Sequence, residues 1–178
     1  MPRITGHFDI YVQDRTLTFT SSESSARIID RVIHEMSTHD SLKKIPAELL
    51  IDFLCSPCRL AAGESIADSE SAVIQAVSDA AAEIDSFTDI ISGSYCGLSL
   101  DEAVAWHKDG IIPPVFNMRA AYSTEYIIFT TGRNMTLTRL QEIADKSLEK
   151  LHVYSWGHIF DDSLGSRIRV TVFGRIYD

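Results

Sequence analysis

Apolar and polar side chains alternate near the start of this chain. Phe8, Ile10 and Val12 interleave with His7, Asp9, Tyr11 and Gln13, the period of a half-buried strand. Leu17 and Phe19 interleave in the same way with Thr16, Thr18 and Thr20. A turn at Asp14-Arg15 would set Val12 opposite Leu17 and Ile10 opposite Phe19. All four apolar side chains then share one face, as a stable register requires.

The period changes after Thr20. A run rich in capping residues, Thr20 to Ser25, precedes Ile28, Ile29, Val32, Ile33 and Met36 at helical spacing. Pro46 suits the first turn of a second helix with Leu49, Leu50, Phe53 and Leu54 inward, and Pro57 ends it. The most regular segment runs from about Ser69 to Ile91. Val73, Val77, Ala80, Ile84, Phe87 and Ile91 recur at steps of four and three and form one narrow stripe. A short helix is expected from near Ser99 to Gly110, where Asp101 and Glu102 complement its positive end. Ile111-Ile112-Pro113-Pro114 reads as extended.

Glu125 to Thr131 reads as a strand. Thr136 or Thr138 caps a helix with Leu140, Ile143, Ala144, Leu148 and Leu151 inward. Two strands follow, about His152–Phe160 and Arg167–Tyr177, around Asp161-Asp162-Ser163-Leu164-Gly165. Strands at both ends with helices between them predict an α+β fold. The expected sheet is mainly antiparallel, built from N- and C-terminal hairpins, with the helical middle packed on it. At 178 residues the whole chain, 1–178, fits one domain able to bury a core unaided.

Charge adds a feature that hydropathy does not show. Nine acids lie between Leu60 and His107 (Glu64, Asp68, Glu70, Asp79, Glu83, Asp85, Asp89, Asp101 and Glu102), with no Lys or Arg among them. This window carries the whole formal charge of −9. Such a balance argues against direct nucleic-acid binding and against docking on an anionic membrane. The segment 60–107 is read as an acidic helical surface. It is either a solvated face or a site that engages a basic protein surface, as an inhibitor or decoy of a nucleic-acid-binding groove would. Asp79, Glu83, Asp85 and Asp89 are its candidate binding residues. The N-terminus MPRITGHFDI has no apolar h-region and the chain no membrane-length apolar run, so a cytoplasmic protein is expected. The odd count of three cysteines fits a reducing compartment.

Cys55-Ser56-Pro57-Cys58 is the sharpest local motif. A Cys-x-x-Cys opening a helix lowers the first thiol's pKa and permits disulfide exchange. In the context LLIDFLCSPCRLA it resembles the strand–CxPC–helix active site of the thioredoxin family. Ile112-Pro113-Pro114-Val115-Phe116 resembles that family's loop proline before a strand. The resemblance covers two short pieces. It implies a thiol–disulfide oxidoreductase with Cys55 as nucleophile and Cys58 as resolving thiol. The residues alone also read as two small apolar side chains at a helix end.

Other constellations are weaker. Cys55, Cys58, Cys96 and His107 match the ligand types of zinc, but Cys96 and His107 lack the short ligand spacing, so no metal is assigned. His152 and His158, with Asp161 and Asp162 beyond them, offer a base and carboxylates. No nucleophile elbow accompanies them, because Gly93-Ser94-Tyr95-Cys96-Gly97 has Tyr at its centre. An odd C-terminal loop sets Tyr154, Trp156 and Phe160 beside Ile168, Val170 and Val172 as core. An even one sets them beside Arg167, Arg169 and Arg175 as a stacking platform. Burial favours the first. The sequence implies no cofactor and leans away from an enzyme. The leading reading is a non-enzymatic binding protein, with the oxidoreductase and a structural or assembly subunit as alternatives.

Overall fold

The computed structural model describes residues 5–92, 122–151, 153 and 155–176. Strands β1 (Thr5–Val12) and β2 (Arg15–Ser22) form the first hairpin. Its turn is Gln13-Asp14, one residue earlier than expected, and both residues have positive φ, 49° and 59°. That is the primed turn that matches strand twist. Asp tolerates the left-handed conformation better than Arg, which favours Gln13-Asp14 over Asp14-Arg15. Ile10 therefore faces Leu17, and Phe8 faces Phe19. The offset is two residues, so the apolar face survives.

Ser22 ends β2 and caps helix α1 (Glu23–Thr38), its hydroxyl accepting from the Ser25 N–H at 3.2 Å. Helix α2 (Ala47–Leu54) starts after Pro46 and buries Leu50, Phe53 and Leu54. Strand β3 (Arg59–Ala67) follows. The sequence reading had placed Leu60 onward in the helical acidic segment, and this is corrected: Leu60–Ala67 is sheet. A 3₁₀ turn (Glu70–Ala72) leads into α3 (Val73–Ser92). Then come β4 (Tyr122–Thr131), α4 (Leu137–Leu151), β5 (Ser155–Phe160) and β6 (Ile168–Ile176). Thr136 caps α4, its Oγ1 accepting from the Arg139 N–H. The expected helix from Ser99 to Gly110 and the extended Ile111–Pro114 lie outside the described residues.

The α+β class holds, but the sheet is not mainly antiparallel. Among the described residues six strands form one mixed sheet in the order β1-β2-β3-β6-β4-β5. The joins β2–β3 and β4–β5 are parallel. The expected C-terminal hairpin is absent, since β4 lies between β5 and β6. Two constraints explain this. The β4–α4–β5 unit is a crossover, which makes parallel neighbours. Strand β6 is buried along nearly its whole length, so it belongs at the sheet centre, between β3 and β4.

Helices cover both faces. On one, Ile29, Val32 and Ile33 of α1 and Leu50, Phe53 and Leu54 of α2 pack with Tyr126, Ile128 and Phe173. The Phe53 and Phe173 rings stack at 5.6 Å. On the other, Val73, Val77, Ala80 and Ile84 of α3 and Leu140 and Ala144 of α4 cover Ile127, Phe129, Trp156, Val170 and Val172. No helix of the described residues is long and apolar enough to cross a membrane.

Strand β3 has low strand propensity and still sits inside the sheet, because small side chains are needed there. Ala61, Gly63, Ser65 and Ala67 are alternate positions, so they share the side that α3 covers. A Cβ at Gly63 would lie 1.9 Å from the Ala80 carbonyl oxygen and 2.7 Å from the Glu83 Cβ. The α3 backbone thus rests directly on β3. Gly63→Ala should lower the urea unfolding midpoint, by about 1–3 kcal/mol of stability from overpacking. Gly63→Val should cost more. An unchanged midpoint for both would mean that α3 does not approach the sheet this closely.

Candidate functional site: the acidic side of helix α3

The acidic window does not form one surface. Glu64 lies on β3, facing α1, where Arg31 forks onto its two carboxylate oxygens and Thr171 Oγ1 donates to it at 3.0 Å. Glu70, in the 3₁₀ turn, is paired with Arg139 of α4. Asp68 is exposed at the end of β3. Asp79 and Glu83 are exposed on α3, one turn apart. Asp79 accepts from the Gln75 side-chain amide at 2.8 Å. Asp85 and Asp89 lie on the same helix, and their side chains are outside the described residues, as are Asp101 and Glu102.

Strand alternation in β6 decides where the basic groups go. Ile168, Val170 and Val172 face α3. Arg169, Thr171, Phe173 and Arg175 face α1 and α2. There Arg169 reaches Glu35 at 2.9 Å and Asp161 at 3.7 Å, and Arg175 reaches Asp52 at 3.0 Å and Glu125 at 4.0 Å. A ladder of alternating charge, Asp161–Arg169–Glu35–Arg31–Glu64, ties α1 to the sheet. A Ser163 hydroxyl bond, assisted by Arg169, holds the Asp161 carboxyl below its ordinary range. Trp156 shares a core with Ile168, Val170 and Val172, so no aromatic–arginine platform forms from these residues.

Cys55 caps the C-terminal end of α2, and Cys58 precedes β3. Both are free thiols, Cys55 exposed and Cys58 half-buried. The order is helix–motif–strand, the reverse of what the thioredoxin resemblance implies. Cys96, His107 and Ile112–Phe116 lie outside the described residues. Among the described residues no group of three or more His, Cys, Asp or Glu is placed to hold a metal ion.

His158 is 1% exposed. Its Nδ1 accepts from the Leu42 N–H at 3.0 Å, so the ring proton sits on Nε2. Nε2–H donates to Thr131 Oγ1 at 2.8 Å, which donates to the Gly132 carbonyl. The ring is a fastener between β4, β5 and the segment before α2. Burial lowers its pKa from 6.5 to about 4. His152 is outside the described residues.

The sequence reading missed a cleft of about 430 Å³ where β3 and β4 end and β6 begins. Ser69, Ser71, Asn134, Arg139, Ser166 and Arg167 line it, with Asp68 and Glu70 beside them. Hydroxyl, amide and charge of both signs lie there beside the apolar Met135 and Ile168. No motif in the sequence signals the cleft, because its lining comes from three separate segments, 68–71, 131–139 and 165–168.

The depressed His158 pKa has a consequence for stability. The unfolded imidazole takes up a proton near pH 6.5 and the folded one only near pH 4. Stability from this group is therefore full above about pH 6.5 and falls as pH drops towards 4, by up to roughly 3 kcal/mol. Urea titrations across this range should show the fall in the wild type and a flatter profile in His158→Gln. Parallel profiles would remove His158 as the cause.

No protein-family model and no curated protein matches the chain. Solved structures do. A point mutant of FtsZ from M. jannaschii superposes with a TM-score of 0.52 at 15% identity, over 85% of this chain and 37% of that one. An empty FtsZ dimer from the same organism gives a TM-score of 0.45 at 15% identity, over 84% and 38%. The chain thus spans little more than a third of those proteins' length. At this identity the first likeness is one of fold: the arrangement of strands and helices recurs in a part of FtsZ.

Proposed function

We propose that this is a non-enzymatic binding protein that docks the outer side of α3 on a basic surface of a partner protein, as an inhibitor or decoy of a phosphate-binding groove would. One observation carries the reading. The alternation of β6 directs Arg169 and Arg175 to the face opposite α3, where Glu35, Asp161, Asp52 and Glu125 engage them. Helix α3 has four acids and no Lys or Arg. Asp79 and Glu83, a like-charged pair four residues apart, cost a few tenths of a kcal/mol in an isolated helix. That cost is borne on a helix anchored by Gly63, so the carboxylates are held in place rather than carried on a mobile tail. The narrower site is Asp79 and Glu83, extended by Asp85 and Asp89 along the helix. A cytoplasmic setting suits the two free thiols and a nucleic-acid-binding partner.

A Lys/Arg-rich peptide followed by fluorescence anisotropy serves as the probe. Binding should weaken steeply with added salt. The double variant Asp79→Lys, Glu83→Lys should bind at least roughly tenfold less tightly, with an unchanged melting temperature. Glu142→Lys with Glu149→Lys, on exposed positions of α4, should change binding little. Salt-insensitive binding, or equal losses from both double variants, would show that α3 is not the docking face.

A further inference from the structure

The two edges of the sheet are treated differently. The outer edge of β5 is covered from within the chain: the Phe160 N–H donates to the Asp40 carbonyl at 2.9 Å, and the His158 N–H to the Lys43 carbonyl at 2.8 Å. Gly157 lets this segment cross, since a Cβ there would lie 2.9 Å from Ile45 Cγ1. Among the described residues strand β1 ends the sheet on the other side. It is eight residues long, pairs with β2 without a register break, and contains no Pro, Lys or Arg. Those are the usual devices that blunt an edge.

The register of the first hairpin fixes which groups the edge offers. In a two-residue hairpin the residues flanking the turn, Val12 and Arg15, exchange both backbone bonds, and the pattern alternates from there. Phe8 and Ile10 therefore point their backbone groups at β2. Thr5, His7, Asp9 and Tyr11 point theirs away from the sheet. A second β1 running antiparallel must pair these odd positions with one another. Setting His7 opposite Asp9 uses all of Thr5 to Tyr11 and gives roughly eight backbone hydrogen bonds. Neighbouring registers set Asp9 against Asp9 or His7 against His7.

The side chains fit the same register. His7 Nδ1 contacts Thr20 Oγ1 at 3.1 Å and Asp9 Oδ1 accepts from Thr18 at 2.6 Å. Each keeps its second polar atom, Nε2 and Oδ2, for the facing strand. Phe8 meets its own copy at the two-fold axis. Its ring is half-buried against Phe19, with centroids 6.1 Å apart. Two such rings at a close non-hydrogen-bonded pair would seal the apolar face across the join.

We propose that two copies of this chain pair through β1, antiparallel and with His7 opposite Asp9, into one continuous sheet. The interface lies apart from α3 and does not depend on the binding role proposed for it. Sedimentation equilibrium of the full chain at roughly 100 µM tests it, since that concentration fills a dimer of micromolar Kd. The wild type should be a dimer. Asp9→Pro removes an outward N–H without touching the β1–β2 ladder, and it should give a monomer with an unchanged circular dichroism spectrum. His7→Asp should weaken the dimer, and His7→Asp combined with Asp9→His should restore it. That pair of variants decides the matter should Asp9→Pro unfold. A monomeric wild type, or a dimer indifferent to the His7 and Asp9 exchange, overturns the proposal.

Discussion

The burial of β6 on both faces is the constraint from which the architecture follows. A strand with Ile168, Val170 and Val172 on one side and Thr171 and Phe173 on the other has no exposed face to offer. It must lie between two strands and beneath two layers of helix. Its place between β3 and β4 divides the interior into two cores. One belongs to α1 and α2, the other to α3 and α4. Because β6 follows the other five described strands, the sheet's centre closes only after all of them have been made.

The same alternation sorts the charge. Odd positions of β6 carry the arginines, and their face is where Glu35, Glu64, Asp161 and Asp52 converge. A partly buried arginine needs such partners, since an unpaired one would lose its hydration without return. The α3 side of β6 is apolar, so β6 itself sends no basic group towards α3. The acidity of the window therefore has two physical meanings. At Glu64 and Glu70 it is structural, absorbed by Arg31 and Arg139. Asp79 and Glu83 are instead exposed side chains of α3.

Much of this was legible in the residues. The helices α1, α2, α3 and α4 follow from their apolar spacing and from Ser22, Pro46 and Thr136 at their starts. The first hairpin was misplaced by one residue because Gln-Asp is a rare primed turn. Strand β3 was missed because Arg59–Ala67 is rich in Ala, Gly and Ser. Its place depends on how closely α3 must approach, a tertiary requirement that no local propensity encodes. The β5–β6 hairpin was a fair local inference from two strands and a short turn. It failed because β4, earlier in the chain, competes for β6 with the fully buried Ile127, Ile128 and Phe129. In the candidate site, exposure of Asp79 and Glu83 follows from the α3 stripe. The engagement of Glu64 by Arg31, 33 residues away, was not readable from spacing.

Cross-strand nuclear Overhauser effects within the sheet test this arrangement most directly. Val172 should show contacts to both Gly63 on β3 and Ile127 on β4, its partners in the two registers. Backbone contacts between β5 and β6, such as Trp156 to Val170 with none from Val172 to Gly63, would place β6 in a C-terminal hairpin. That result would contradict both the two-core fold and the sorting of charge built on it.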